Sequence, residues 1–150
     1  MPPRRRRKLR LVIDTNVLVR GVRAFRQQPP EPLTPELRLI LGWIEDEDSF
    51  EWLFSETILD EYREVLRRLR VPPSVVGRVV NLMRQGGTLV EIHEHGSFSP
   101  DADDDPFYHC ALDGDGDFIV TDNTRDFPPP ENRKRPKIIT PVEAVKQIYK

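Results

Sequence analysis

Two apolar runs in this chain end in side chains that can do chemistry. Leu11-Val12-Ile13 runs straight into Asp14-Thr15-Asn16, and Phe118-Ile119-Val120 runs into Thr121-Asp122-Asn123, with Asp126 shortly after. A third group, Asp101, Asp103, Asp104 and Asp105, stands immediately before Pro106. A fourth lies in the segment 55–69, where Ile58, Leu59, Tyr62, Val65, Leu66 and Leu69 form a helical apolar stripe. At about 100° per residue, Glu61 falls beside Ile58 and Val65 on the edge of that stripe, whereas Glu56, Asp60 and Glu64 turn away from it. Crowded carboxylates repel one another unless they are solvated or bridged by a cation. Hard oxygen ligands without His or Cys select Mg²⁺ or Mn²⁺. Such a cation lowers the pKa of a bound water and offsets charge building on phosphorus. Convergence of the four acid positions therefore implies metal-assisted phosphodiester hydrolysis.

Each position also has a plainer role. Asp14 and Asn123 suit helix caps or turns, Glu61 suits a solvated ion pair with Arg68, and Asp105-Pro106 suits an N-cap followed by a first-turn proline. A cap reading leaves metal binding open, because a cap also fixes the carboxylate. Calcium loops are excluded. The series from Asp101 has Pro106 and Leu112 where the turn Gly and bidentate Glu belong, and the series from Asp113 has Phe118 and Thr124 there. Asp113-Gly-Asp115-Gly-Asp117 reads as a turn. Zinc is disfavoured as well: His93 and His95 share a strand face without a third soft ligand nearby, and His109 and Cys110 are adjacent on a helix and diverge. Trp43 and Trp52 read as core. Neither a Walker-type phosphate loop nor a nucleophilic serine elbow is present.

The elements that must position these acids alternate in type. Apolar runs predict strands over Lys8–Ile13, Glu51–Phe54, Thr88–Ile92, Phe118–Thr121 and Lys137–Ile139. Helical spacing covers Val17–Val19, Pro35–Trp43 and the segment from Ser55 to about Leu69. Further helices are predicted from Pro72-Pro73 to Gln85, from Asp105 to a stop at Gly114, and from Thr140-Pro141 onward. Continuous apolar strands between helices argue for an α/β fold with a mainly parallel sheet. Ligands of such sheets bind beyond the carboxyl ends of the strands, where Asp14 and Thr121 are expected.

Composition sets the outer limits. With 150 residues, 37% hydrophobic and 32% charged, the chain is globular and sized for one core. One cysteine excludes a disulfide framework and fits a reducing, cytoplasmic setting. No run approaches a membrane span, and the basic start lacks the apolar stretch of a signal peptide. The net charge of −2 hides an asymmetry: sixteen basic against twelve acidic residues up to position 85, then seven against thirteen. Residues 1–8 form a basic arm ahead of the domain at 9–150, and Arg4, Arg5, Arg6, Arg7 and Lys8 in it are candidate RNA contacts.

LVIDTNVLV at 11–19, SETILDEYREVLRR at 55–68, DDDPFYHCALDGDGDFIVTDNTRDF at 103–127 and IITPVEAV at 138–145, in that order and spacing, resemble the PIN-domain ribonucleases. The likeness spans about residues 9–143 and holds especially for the toxin component of toxin–antitoxin pairs (VapC-type and related PIN toxins). It implies a three-layer α/β/α sandwich around a parallel five-stranded sheet, and a Mg²⁺- or Mn²⁺-dependent endoribonuclease. It maps the acidic site to Asp14, Glu61 and Asp105 as metal ligands, with Asn16 and Thr121 positioning them. Asp105 is chosen by its spacing of 16 residues from Thr121. The fourth position is Asn123, where the family often has an acid, or Asp126. By the same resemblance the partners are an RNA substrate, a small antitoxin protein and a second copy in a homodimer. A PIN-fold RNA-processing nuclease without an antitoxin, or a catalytically weak nucleic-acid-binding protein, are the alternatives it admits.

Overall fold

Short runs of large apolar residues, buried on both faces, make the strands. The computed structural model describes residues 8–26, 33–93 and 96–149. Among them β1 (Arg10–Ile13), β2 (Glu51–Phe54), β3 (Thr88–Leu89), β4 (Phe118–Val120) and β5 (Lys137–Ile139) form one parallel sheet in the order β3-β2-β1-β4-β5. The helices are α1 (Thr15–Arg26), α2 (Pro35–Glu45), α3 (Glu56–Arg68), α4 (Pro73–Gly86), α5 (Asp105–Asp113) and α6 (Pro141–Ile148).

Alternation along β2 shows the two faces. Trp52 packs edge-on against Trp43 of α2, ring centroids 5.1 Å apart, and against Tyr62 of α3 at 6.3 Å. The next residue, Leu53, turns to the other face, where the end of α5 comes so close that a Cβ on Gly114 would lie 3.0 Å from Leu53 Cδ1. α1 packs on α2 and α3, α2 on α6, and α3 on α4, while α5 covers β1, β2 and β4 from the opposite side. This is the three-layer α/β/α architecture that the resemblance implies. No helix among the described residues is long and apolar enough to cross a membrane.

Caps set the helix starts. Ser55 Oγ accepts from Ile58 N–H at 3.2 Å, Thr34 Oγ1 accepts from Leu37 N–H at 3.1 Å, and Thr140 with Glu143 forms a reciprocal capping box. α1 runs much further than the Val17–Val19 core that the spacing marked, because Val22 continues the buried face to its last turns.

Three strands are shorter than predicted, β4 by only its last residue, Thr121. β3 pairs only over Thr88–Leu89, since after the Val90 N–H bond to Phe54 O the backbone leaves the sheet and His93 N–H bonds Asp113 Oδ2. β1 begins at Arg10 rather than Lys8. The Asp-Gly-Asp-Gly-Asp stretch is the predicted turn, with Asp115 at φ 54°, and its acids bind protein groups. Asp117 accepts from Arg10 N–H at 2.9 Å, and Arg135 bridges Asp115 and Asp117, each at 3.0 Å.

Candidate active site

The sheet order turns back on itself between β1 and β4. From β1 the chain builds outward through β2 and β3, then crosses to the other side of β1 to add β4 and β5. Such a switch point opens a crevice at the carboxyl ends of the two central strands. Asp14 and Thr121 are the residues at which those two strands end. Asp14 N–H bonds Val120 O at 2.9 Å, which fixes the backbone of the first acid to the end of β4.

Thr121 is fully buried and Asp14 is 7% exposed. Thr121 Oγ1 donates to Asp14 Oδ2 at 2.9 Å and accepts from Asn123 N–H at 3.1 Å. Burial pushes the Asp14 carboxyl up to about 6, and the Glu61 and Asp122 charges add to this, while the Thr121 hydroxyl and the Thr15 amide hold it down. Glu61 comes from α3, half-buried at the stripe edge as the helical geometry predicts, and Thr15 Oγ1 donates to its Oε2. Its carboxyl is also raised, first by burial and then by Asp103 and Glu64 against the Thr15 hydrogen bond. Tyr62, the next residue on α3, donates its hydroxyl to Ile13 O and so ties this helix to the strand end that carries Asp14.

At the third acid position the structure gives Asp105 and its neighbour Asp104 different surroundings. Asp105 does not cap α5 with its side chain. Its Oδ1 accepts from the backbone N–H groups of Phe98 and Ser99, both at 2.9 Å, and so clamps the segment that leads into the acidic run. Asp104 stands at the N-cap position without a side-chain cap bond, and the charges of Asp14 and Glu61 act on it. Burial first, then the charges of Asp14, Asp101, Glu61 and Asp126, push its carboxyl up to about 7. The 3₁₀ turn Ala102–Asp104 leads straight into α5, so the first helical residue, Asp105, faces the strap at 98–99.

Around these three stand the remaining candidates. Asn123 is exposed, and its Nδ2 donates to Asp126 Oδ2, so the two sit together at the rim, where Asp126 acts on Asp104 by charge. Asn16 is exposed in the first turn of α1. Lys8 lies at the amino end of β1, the opposite end of the sheet, held by Asp48 at 2.7 Å. Arg4, Arg5, Arg6 and Arg7 lie outside the described residues, as does His95. His109 Nε2 bonds Gly96 O at 2.6 Å, and burial pushes the Cys110 thiol up, so both have structural roles.

Sequence reasoning missed two acids. Asp122 is the residue after Thr121, its carboxyl is raised by burial and by Glu36 of α2, and it pairs with Arg20 of α1 at 2.9 Å. Its position beside Thr121 at a strand end was a usable signal. Glu36 gave none, because only the packing of α1 on α2 brings it there. Gly21 permits that packing: a Cβ there would meet Ile40 Cδ1 at 2.5 Å and the backbone oxygen of Glu36 at 3.2 Å.

Among the described residues no three His, Cys, Asp or Glu side chains close into a ready-made metal cage. The donors nonetheless fit a hard divalent cation. They are carboxylates without competing His or Cys, and Asp14 and Asp104 are raised by burial and by the charges of neighbouring acids, which a cation relieves. Mg²⁺ keeps several waters and uses one or two carboxylates together with substrate phosphate, so it needs no closed cage.

No curated protein matches this chain. A family model described as PIN domain matches residues 10–125, which takes in β1 through β4 with Asp14, Glu61, Asp104, Asp105 and Asp122. PIN domains are generally nucleases, hydrolases of phosphodiester bonds. With that match over most of its length, on a five-stranded parallel sheet layered between helices, the chain belongs to the PIN-domain family.

Proposed function

We propose that this protein is a divalent-metal-dependent endoribonuclease that cleaves single-stranded RNA, and that it is the toxin of a toxin–antitoxin pair. The observation that carries the first half is that Thr121, donating to Asp14 at 2.9 Å, and Thr15, donating to Glu61, hold two carboxylates at the switch point of a PIN-family sheet. Asp14, Glu61 and Asp104 would hold Mg²⁺ or Mn²⁺. The bound cation supplies a water of lowered pKa and positive charge for the phosphate. The chain's own residues prepare the site for it. Thr121 keeps Asp14 ionised and oriented by donating to Oδ2, Thr15 does the same for Glu61, and Tyr62 fixes α3 to the end of β1. The Asp105 clamp on Phe98 and Ser99 sets where Asp104 stands.

The second half is supported by a groove between α1, α2 and α4. It encloses about 320 Å³ over Leu18, Val22, Trp43, Val79 and Met83, and Phe25 at its edge is 66% exposed. Arg26 and Arg78 line it and have no acid partner among the described residues. An apolar floor edged by arginines suits an amphipathic, acidic helix of a small partner protein. We assign that occupant as the silencing antitoxin.

The test is cleavage of a panel of RNAs by purified protein, with Mn²⁺, with Mg²⁺ and with chelator, alongside Asp14→Asn. Cleavage that needs metal and Asp14 is the expected result. Cleavage that persists in chelator, or in Asp14→Asn, overturns it.

A further inference from the structure

The crevice carries a cation of its own at its mouth. Arg20 lies on α1, about a turn and a half beyond Thr15. Its Nη1 meets Asp122 Oδ2 at 2.9 Å, yet its side chain is 60% exposed, against 21% for Asp122. Asp122 is placed by the strand end. It comes directly after Thr121, which donates to Asp14, and its charge reaches Asp14. On its other side it meets Glu36 in the first turn of α2. Arg20 is therefore anchored onto the acid cluster by one nitrogen, and much of its guanidinium fork remains in solvent.

This arrangement is a poor stabilising device. Exposed ion pairs add little to folding, because solvent screens them and two side chains lose freedom. It is a good recognition device. Guanidinium offers five N–H donors in a rigid plane whose geometry matches two phosphate oxygens, and a tethered fork loses less freedom on binding than a free one. The need is local as well. Asp14, Glu36, Glu61, Asp104 and Asp122 surround the crevice with negative charge, which repels an incoming phosphodiester. Arg68, the cation next to Glu61 on α3, is bound to Glu64 on the same helix at 2.8 Å.

We propose that Arg20 is a phosphate-binding residue of the site: tethered by Asp122, it grips a backbone phosphate of single-stranded RNA beside the scissile position. The proposal rests on the ribonuclease reading and adds to it the residue that brings a polyanion into an acidic crevice.

The experiment separates binding from chemistry. Affinity for a short single-stranded RNA is read by fluorescence anisotropy from about 50 to 200 mM salt. It uses the full chain carrying Asp14→Asn to stop turnover, alone and with Arg20→Ala, Arg20→Lys, Asp122→Asn, or Arg20→Ala with Asp122→Asn. Steady-state cleavage is read on the same substitutions in the otherwise natural chain, with Arg23→Ala on the same helix as a control. Arg20→Ala is expected to weaken binding about tenfold and raise KM to match, with kcat little changed. The salt slope should fall by about 0.7, the value for one phosphate contact on a single strand. Arg20→Lys recovers part of the affinity, Arg23→Ala changes neither constant, and melting temperatures stay within a degree or two of the parent.

Three results overturn the proposal. Unchanged affinity and salt slope in Arg20→Ala remove the contact. Restoration of Arg20→Ala by Asp122→Asn shows that Arg20 only neutralises Asp122. Loss of kcat at unchanged KM places Arg20 in the chemistry instead. A natural chain that neither binds nor cleaves any RNA overturns the ribonuclease reading itself, and this proposal with it. A chain that cleaves RNA while Arg20→Ala keeps its KM overturns this proposal alone.

Discussion

Thr121 Oγ1 and Asp14 Oδ2 meet at 2.9 Å across the seam between β4 and β1, joining residues 107 apart in sequence. The hydroxyl donates to the ionised carboxylate, so it opposes the upward push of burial on Asp14. Thr121→Val removes the donor and raises the Asp14 carboxyl further. If catalysis uses ionised Asp14, the acid limb of the kcat/KM profile moves to higher pH, while activity well above neutrality recovers toward the parent value. A profile whose acid limb stays in place would detach Asp14 ionisation from activity.

Asp104 and Asp105 should separate catalysis from stability. Asp104→Ala removes a carboxylate on which the Asp14 and Glu61 charges act, and is expected to lower kcat/KM by roughly a hundredfold at little cost to the melting temperature. Asp105→Ala orphans the Phe98 and Ser99 amides and should destabilise by about 2 kcal/mol, with cleavage largely retained well below its melting point. Thermal melts beside steady-state kinetics decide this. The reverse pattern would return the site to the register that spacing suggested.

The raised carboxyls make stability depend on pH in a definite direction. Asp14 moves from the ordinary aspartate range to about 6 in the folded chain, so the folded state holds its proton more tightly than the unfolded one. The stability from that proton is fully present below about pH 4 and is lost as pH rises through about 6, by about 3 kcal/mol at 1.36 kcal/mol per unit. The melting temperature of the natural chain relative to Asp14→Asn should fall between pH 4 and pH 7 in chelator. Millimolar Mn²⁺ should recover the loss at pH 7 by binding the ionised site. A relative melting temperature that is flat with pH, or indifferent to Mn²⁺, counts against a coupled metal site.

Tyr62→Phe deletes the hydroxyl that donates to Ile13 O inside the core. The expected cost is about 1 kcal/mol in denaturant unfolding, from one lost buried hydrogen bond. Because that bond joins α3 to the residue before Asp14, kcat should fall severalfold with it. A loss of stability with full kcat would make the tie purely structural.

Phe25→Glu tests the groove between α1, α2 and α4. Phe25 is 66% exposed, so the substitution should leave folding and nuclease activity within small margins of the natural chain. It should abolish inhibition by the acidic partner protein, because a carboxylate then meets the partner's acidic helix. Inhibition that survives Phe25→Glu and also Arg78→Glu places the partner elsewhere. A change in native mass on Phe25→Glu without any partner present would show that a second copy of the chain sits there.

The residue pattern alone made the architecture legible, and with it the elements that carry Asp14 and Glu61. Apolar runs such as Leu11–Ile13 and Phe118–Val120, too continuous for an exposed sheet face, made a buried parallel sheet the consistent reading. A strand end places Asp14 because the chain leaves the sheet there. A helical stripe edge places Glu61 because the 3.6-residue period relates it to Ile58 and Val65. Both are local periodicities, legible without knowing what packs on what. The connections between elements are less regular, and packing sets them. The role of Asp105 depends on how the 3₁₀ turn at 102–104 meets α5 and on the Phe98–Ser99 amides that claim its carboxylate. The short reach of β3 depends on Asp113, which captures the His93 N–H that a longer strand would use. Glu36 and Arg20 lie 16 positions apart, yet both arrive at Asp122 because Gly21 lets α1 and α2 approach closely. Side chains brought together by helix packing leave no periodic trace in the chain. Their encounter is set by the volumes between elements, which only the folded molecule defines.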